Sequence, residues 1–407
     1  MIYKFLFILF NFLLYIILFF FCLKFFIFNY WFDGLLFYNF NFLNVFYGNF
    51  DGLSLLLLVF TGLIIFLCNI LIWNSNLYNY YFFLLNILFF FLFFVFSLAN
   101  LLLFYVFFEA TLVPMYLFIG FLGSRIRKIT AAYRFFLYTF FGSIFFFIII
   151  IVCFFFFGTF DFYKLINLVS FSFFFKKIFW FFAFITFGIK MPLFPFHSWL
   201  PEAHSEAPTV GSIILASILL KLGPFGIIKF INILFIEGFF FFRPLIYIFC
   251  LLGLYYTSLS AIRQLDIKRI VAYSSIGHMS LVMLGILAFN FEGYLGAFFL
   301  ILSHGFISAG LFLIVGFIYD RYMTRNLLYF GGLVQINPII GCITFFFLLG
   351  NFAFPFTLNF IAEVLILVGT FSMNYYICFL VCLSSMFVLI YNLYFFSRIF
   401  LVYLRII

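Results

Sequence analysis

Apolar segments of membrane-spanning length follow one another along almost all of this 407-residue chain. A transmembrane helix needs about 20 consecutive apolar residues, because the hydrocarbon core of a bilayer is about 30 Å thick. Hydrophobic residues make up 69% of the sequence and charged residues only 8%, whereas soluble domains carry about 25% charged residues. The chain is therefore predicted to be an all-α polytopic membrane protein without a sizeable aqueous domain.

The apolar runs predict twelve transmembrane helices. They lie near 3–28, 50–73, 79–100, 101–122, 131–157, 174–191, 208–230, 244–262, 267–289, 292–318, 335–356 and 375–404. The first run resembles a signal-peptide core, but Lys24 follows it and no small-residue cleavage site is present, so we expect a retained helix. Two further segments, near 196–206 and 358–372, are too short to cross a bilayer alone.

Prolines mark both short segments, and their positions predict an internal repeat. Each segment follows a proline break, formed by Pro192, Pro195 and Pro201 in the first case and by Pro355 in the second. After N-terminal helices in 1–78, residues 79–230 and 244–404 would each contain five helices, the fourth of which is broken. An odd number of crossings inverts the second group relative to the first. Inverted repeats with broken helices are typical of ion and solute translocation, although two helices merely kinked by proline would leave the same pattern.

The charges in the loops predict the orientation. Under the twelve-helix count, most basic residues fall on one side of the membrane. They are Lys4, Arg125, Arg127, Lys128, Arg263, Lys268, Arg269, Arg321, Arg325 and Arg405. The positive-inside rule then places this side and both termini in the cytoplasm or the mitochondrial matrix. Four basic residues on the other side weaken this prediction without reversing it: Lys164, Lys176, Lys177 and Arg243.

Six ionisable residues lie within the apolar runs, where a charge costs at least about 2.5–3.5 kcal/mol. They are Glu109, Lys190, Lys221, His278, His304 and Glu363. We interpret them as functional residues that face the interior of the helix bundle. A buried His, such as His278, or a Lys near a helix end, such as Lys229, can also be a packing residue; Lys221 lies deep in its run, which favours function.

This set of residues suits proton relay. Lysine has an ordinary pKa near 10.4, which burial lowers and a nearby carboxylate raises. A lysine whose carboxylate partner can move is therefore a switchable proton site, and histidine, with a pKa near 6.5, can pass protons between such sites. Glu109 and Lys190 are 81 residues apart in the sequence, so only the tertiary fold can join them; we expect their charged groups within roughly 4 to 7 Å, directly or through one water.

Redox, hydrolytic and nucleic-acid functions find little support in the sequence. Four histidines do not provide the pairs that dihaem cytochromes need, and no P-loop, iron–sulfur pattern or HExxH motif is present. The seven cysteines lie mostly in apolar runs without CxxC spacing, which indicates core residues and not a metal site or a disulfide. The net charge of +9 resides in short loops and does not indicate nucleic-acid binding.

Four motifs resemble the antiporter-like membrane subunits of respiratory complex I. They are GIKMPLFPFHSWLPEAHSEAPTVGSIILASILLKLG at 188–223, FFEATLVPMY, DIKRIVAYSSIGHMSLV and LSHGFISAGLF. The similarity extends over about 50–400. Three paralogous subunits share this fold with subunits of cation/proton antiporters, and one of the three carries Glu in the second broken helix where its two paralogues carry Lys. Glu363 indicates the Glu-bearing paralogue.

The resemblance assigns a role to each intramembrane residue. It implies that Glu109 pairs with Lys190, that Lys221 is the central proton site, that His278 and His304 continue the hydrophilic axis, and that Glu363 leads to the exit. It also implies a place in the mitochondrial inner membrane beside the two paralogous subunits and lipids. No cofactor is expected in this chain, because NADH, FMN, iron–sulfur clusters and ubiquinone bind to other subunits of the complex.

The sequence departs from the family in helix count and leaves some roles open. Family members usually have fourteen helices, so one is expected to be missing at each end. Arg134 is either an interfacial anchor or part of a proton-uptake path, and His197 and His204 are interpreted as helix-packing or interface residues. Two other functions remain possible from the residues: a subunit of a stand-alone cation/proton antiporter, and a proton-inert scaffold.

Overall fold

The computed structural model describes residues 39–42, 46–49, 51–168 and 171–401. The first predicted transmembrane helix, 3–28, lies outside these residues. The described chain begins with a short antiparallel hairpin of β1 (Asn39–Phe42) and β2 (Phe46–Asn49), in which Asn39 lies opposite Asn49. The sequence did not predict these strands, since the surrounding apolar run hides so short a pairing.

One helix separates the hairpin from the first group of five. Helix α1 (Gly52–Leu71) is followed by α2 (Tyr78–Ser97), by α3 (Leu101–Ala110) with α4 (Leu112–Gly120), and by α5 (Lys128–Phe157). A short helix, α6 (Phe162–Leu168), then leads to the broken fourth crossing, α7 (Phe173–Lys190) and α8 (Trp199–Glu206). The fifth crossing consists of α9 (Thr209–Ser217), α10 (Leu222–Gly226) and α11 (Asn232–Leu234).

The second group repeats this order. It contains α12 (Ile236–Arg263), α13 (Ile267–Ala288) and α14 (Phe291–Tyr322), then a short helix, α15 (Leu333–Ile336). The fourth crossing is again broken, into α16 (Pro338–Asn351) and α17 (Leu358–Met373), and α18 (Tyr375–Phe396) is the fifth. Two groups of five crossings, each broken at its fourth member, confirm the predicted fold class; the exact domain boundaries at 79–230 and 244–404 stay predictions.

Nine helical spans among the described residues are long and apolar enough to cross a membrane. They are 52–71, 78–97, 101–120, 128–157, 209–234, 236–263, 267–288, 291–322 and 375–401. With the two broken crossings they account for the eleven predicted helices that lie in the described part of the chain. Within an apolar stretch of 18 residues in each span, 94% of the residues are buried in 209–234 and 89% in 267–288, whereas 22% are buried in 375–401. The centre of the bundle is therefore formed by the helices that carry Lys221 and His278.

Two predicted helices differ from the structure. The run 208–230 was expected to be continuous, but it contains a 3₁₀ turn at Leu219–Lys221 and a π-helical turn at Ile227–Ile231. Pro224 accounts for the first irregularity, because it has no N–H to donate to the carbonyl four residues earlier. The helix predicted to begin at 244 begins at Ile236 and has Pro244 in its interior, so here the proline does not end a helix.

Candidate functional site

Glu109 and Lys190 form an ion pair at the break of the first repeat. A Glu109 carboxylate oxygen lies 3.6 Å from Lys190 Nζ, slightly closer than the sequence predicted. The lysine, which is 5% exposed, donates a hydrogen bond of 3.0 Å to the carbonyl of Phe108 and lies against the Phe108 ring. Neither Glu109 carboxylate oxygen has a hydrogen-bond partner among the described residues. The two side chains are therefore held together by charge attraction and not by a direct hydrogen bond.

The broken helix sets the position of Lys190. Helix α7 ends at Lys190, and the chain resumes in helical form at Trp199, whose indole N–H donates to the carbonyl of Ile189 at 3.1 Å. Thr186 donates to the carbonyl of Gly142 at 2.7 Å and so fixes α7 against α5. The last turn of α7 is thus attached on both sides, which directs the lysine towards α3.

Lys221 lies at the end of the 3₁₀ turn that interrupts the fifth crossing, and it is fully buried. Its Nζ donates to the carbonyl of Ala216 and lies 3.0 Å from Nδ1 of His304 on α14. Lys190 lines a cavity of about 10 Å³ together with Leu219 and Leu222, the neighbours of Lys221 in the same turn. A cavity of this size holds about one water.

The second repeat continues from His304 to Glu363. The ring centres of His304 and His278 are 5.2 Å apart, and Nδ1 of His278 lies 3.7 Å from a Glu363 carboxylate oxygen. Lys221, the two histidines and Glu363 therefore form a continuous row of titratable groups from the first repeat to the second broken helix. This is the row that the sequence singled out residue by residue.

Two asparagines that the sequence analysis missed orient this row. The His278 Nε2 atom lies 3.1 Å from Oδ1 of Asn351, whose amide donates to Oδ1 of Asn392 at 2.8 Å. Because the Asn351 oxygen accepts, Nε2 is assigned the proton in this network. Nδ1 faces Glu363 and has no hydrogen-bond partner among the described residues. Each asparagine lies within an apolar run, FFFLLGNFAF for Asn351 and LIYNLYFF for Asn392. An amide side chain inside an apolar run is the sequence feature that could have identified them.

A cavity of about 70 Å³, lined by both apolar and hydroxyl-bearing residues, adjoins Glu363 and His278. Helices α12, α13, α17 and α18 enclose it, and side-chain hydroxyls of several residues line it: Thr257, Ser258, Tyr273, Ser274, Ser384, Ser385 and Tyr391. Thr257, Ser274 and Ser384 donate to carbonyls of their own helices, which leaves their oxygen lone pairs available as acceptors. A cavity of this size can hold a few water molecules beside Glu363.

Other predicted residues lie outside the row. Arg134 forms an exposed ion pair with Glu202 on α8. His197 lies against the rings of Phe194 and Tyr256.

His204 is fully buried and stacks on Phe312 with ring centres 4.5 Å apart. Lys229 pairs with Asp51 at 3.0 Å, away from the row. Among the described residues, no group of three or more His, Cys, Asp or Glu side chains is placed to hold a metal ion.

Comparison with known proteins identifies the family. Residues 98–388 match the model described as "NADH:quinone oxidoreductase/Mrp antiporter, TM". The chain is 42% identical over 374 residues to NADH-ubiquinone oxidoreductase chain 4 of Acanthamoeba castellanii, covering 91% of this chain and 74% of the relative. It is 44% identical over 357 residues to the same chain of Arabidopsis thaliana, covering 87% and 72%.

Solved structures share the fold. A chain of respiratory complex I from Thermus thermophilus superposes with a TM-score of 0.83 at 28% identity, covering 89% of this chain and 78% of that one. A chain of an archaeal membrane-bound sulfane sulfur reductase superposes with a TM-score of 0.80 at 20% identity, covering 87% and 74%, which speaks for the fold alone. The resemblance noted in the motifs is thereby confirmed, and the chain belongs to the transmembrane antiporter family of NADH:quinone oxidoreductases and Mrp antiporters.

Proposed function

We propose that this chain is the proton-translocating, antiporter-like subunit 4 of respiratory complex I, the proton-translocating NADH:ubiquinone reductase. The observation that carries the proposal is the buried row of Lys221, His304, His278 and Glu363, with the Glu109–Lys190 pair beside it. Groups that bind and release protons, aligned across a membrane protein at such short separations, suit proton transfer through its interior.

The relatives named chain 4 come from eukaryotes that include an amoeba and land plants. Their names support a place in the mitochondrial inner membrane as part of a multi-subunit complex. The two paralogous antiporter-like subunits and membrane lipids are the neighbours we propose. NADH oxidation and ubiquinone reduction belong to other subunits, which bind the flavin and the iron–sulfur clusters, and this chain couples that chemistry to proton movement.

The loop charges support an orientation with the basic loops in the matrix. In the structure, Arg125 and Arg127 lie between α4 and α5, and Arg263 ends α12. These positions are at the same end of the bundle if helices alternate in direction. By the positive-inside rule both termini then face the matrix.

Purification of the native assembly from membranes tests the place in complex I. Co-purification with NADH-oxidising flavoprotein subunits is the expected result. Purification in an assembly without them, together with complementation of sodium-sensitive growth, would instead favour a stand-alone cation/proton antiporter, which the family also includes. The third alternative, a proton-inert scaffold, predicts that the buried charges can be replaced without any loss of proton pumping.

A further inference from the structure

The helix that carries Lys221 contains a second irregular turn further along. Residues Ile227–Ile231 form a π-helical turn between α10 and α11. A π turn joins residues five apart and not four, so it contains one more residue than an α-helical turn, and it occurs mostly at functional sites. If this turn became α-helical, the residues before it would rotate by about 100° relative to the residues after it, the angle of one residue in an α-helix.

An ion pair joins this π turn to Asp51, the residue before α1. Lys229 Nζ is 3.0 Å from a carboxylate oxygen of Asp51, and the lysine side chain is 5% exposed while the aspartate is 30% exposed. The lysine ammonium also lies near the rings of Phe225 and Phe230, at 5.4 and 5.8 Å from their centres. Neither residue of the pair belongs to the titratable row of the two repeats, and the family resemblance gave Asp51 no role.

The backbone of Asp51 is itself fixed. Its N–H donates to the Ser54 hydroxyl at 2.8 Å, and that hydroxyl donates back to the Asp51 carbonyl at 2.7 Å. Asp51 directly precedes α1, so its carboxylate is an anchor on a fixed backbone position outside both repeats. A lysine bound to such an anchor cannot rotate with its helix unless the ion pair breaks.

The position of Lys221 depends on that rotation. Lys229 follows Lys221 by eight residues, or about 12 Å at the α-helical rise. A rotation of this helix by about 100° would turn the Lys221 side chain away from His304. In the structure, Lys221 Nζ lies 3.0 Å from His304 Nδ1. Beyond the π turn, Asn232 on α11 contacts the hydroxyl of Tyr294 on α14 at 3.4 Å, which holds the other side of the turn in place.

We propose that Asp51 and Lys229 are positioning residues: their ion pair holds the π turn and thereby keeps Lys221 directed at His304. The pair does not itself carry protons along the row. This inference rests on the proposed function, because it concerns how the central lysine is presented.

The test uses the assembled complex in sealed membrane vesicles and measures protons pumped per NADH oxidised. Asp51→Asn and Lys229→Gln each remove one charge of the pair with little change of shape, and each is expected to lower this ratio at least about twofold, since breaking a buried pair leaves an uncompensated charge. Lys229→Arg is expected to retain the ratio, because arginine keeps the charge and the pairing. In a structure of the Asp51→Asn complex, Lys221 Nζ should lie beyond hydrogen-bond distance of His304 Nδ1.

Lys176 and Glu237 provide a matched control. They form a 2.8 Å ion pair between the beginnings of α7 and α12, which does not involve the helix of Lys221. Glu237→Gln should leave the pumping ratio unchanged. A loss of pumping there equal to that of Asp51→Asn would show a general effect of removing an ion pair and would overturn the inference.

Three other outcomes would overturn the inference. Normal pumping in both Asp51→Asn and Lys229→Gln would show that the pair does not matter. Loss of pumping in assembled Lys229→Arg would show that Lys229 must release a proton, which arginine cannot do. If the single variants do not assemble, the exchange Asp51→Lys with Lys229→Asp decides: restored assembly and pumping support the inference, and any other result refutes it.

The Lys221→Ala variant separates this inference from the proposed function. If Lys221→Ala pumps normally, the proposed function itself fails. If Lys221→Ala abolishes pumping while Asp51→Asn and Lys229→Gln do not alter it, only the positioning role fails.

Discussion

The Lys221 ammonium lies 3.0 Å from Nδ1 of His304, and the two residues belong to different repeats, 83 positions apart in the chain. This contact joins the fifth crossing of the first repeat to the third crossing of the second. It places a fully buried lysine at the point where the two halves of the bundle meet. Any proton that passes between the repeats along the row has to cross this contact.

The proposed central role of Lys221 leads to the first prediction. Lys221→Ala should abolish coupled proton pumping while the complex still assembles, because it removes the only amine that contacts His304 among the described residues. The measurement is proton uptake per NADH oxidised in sealed vesicles. Lys164→Ala, which removes an exposed lysine paired with Asp161, is the control and should pump normally. Undiminished pumping in an assembled Lys221→Ala complex would refute the role.

The Glu109–Lys190 pair leads to the second prediction. Two unit charges about 4 Å apart attract by about 4 kcal/mol at an effective dielectric constant of 20. Glu109→Gln removes that attraction without changing the size of the side chain. If a third of this energy contributes to the barrier for proton transfer, the pumping rate falls by about tenfold.

The measurement for this pair is the initial rate of vesicle acidification after NADH addition. Asp161→Asn, which alters a partly exposed carboxylate paired with Lys164, is the matched control and should leave the rate unchanged. Equal rates for Glu109→Gln and the parent protein would remove the pair from the mechanism.

The third prediction concerns Asn351, which orients His278. Asn351→Leu leaves the His278 N–H and the Asn392 amide oxygen without their present partners, and each unsatisfied buried group costs about 1–3 kcal/mol. We expect a lower thermal stability of the complex and slower pumping, because His278 is then free to turn away from Glu363. The readouts are the melting temperature of the purified complex and the vesicle assay.

Asn86 is the control for that substitution. It also lies within an apolar helix, but its amide donates to the carbonyl of Phe82 in the same helix. Asn86→Leu should therefore leave pumping intact. If Asn351→Leu pumps as fast as Asn86→Leu, the orientation of His278 does not limit proton transfer.

The fourth prediction is geometric. Superposing residues 79–230 on 244–404 with the membrane axis reversed should bring the breaks at Pro192 and Pro355 within about one helical turn, or 5.4 Å. The comparison needs only the backbone coordinates of an experimental structure of the complex. Breaks that align only without the reversal, or that lie several turns apart, would contradict the inverted-repeat relationship.

The sequence alone determined the helices and the titratable residues. Helix positions such as 267–289 agreed with the structure within a few residues, because the thickness of a bilayer requires apolar runs of a definite length. Glu109, Lys190, Lys221 and Glu363 stood out because burying a charge in a membrane is costly and is retained where a function needs it.

Only the tertiary structure decided which of these residues meet. The contacts of Lys221 with His304 and of His278 with Glu363 depend on how helices far apart in the sequence rotate and pack, and hydropathy carries no information about that rotation. The Asn351–Asn392 bridge and the Asp51–Lys229 pair were hidden for the same reason. In each case a polar group finds its partner on another helix, and a partner across the bundle leaves no periodic trace in the sequence of its own helix.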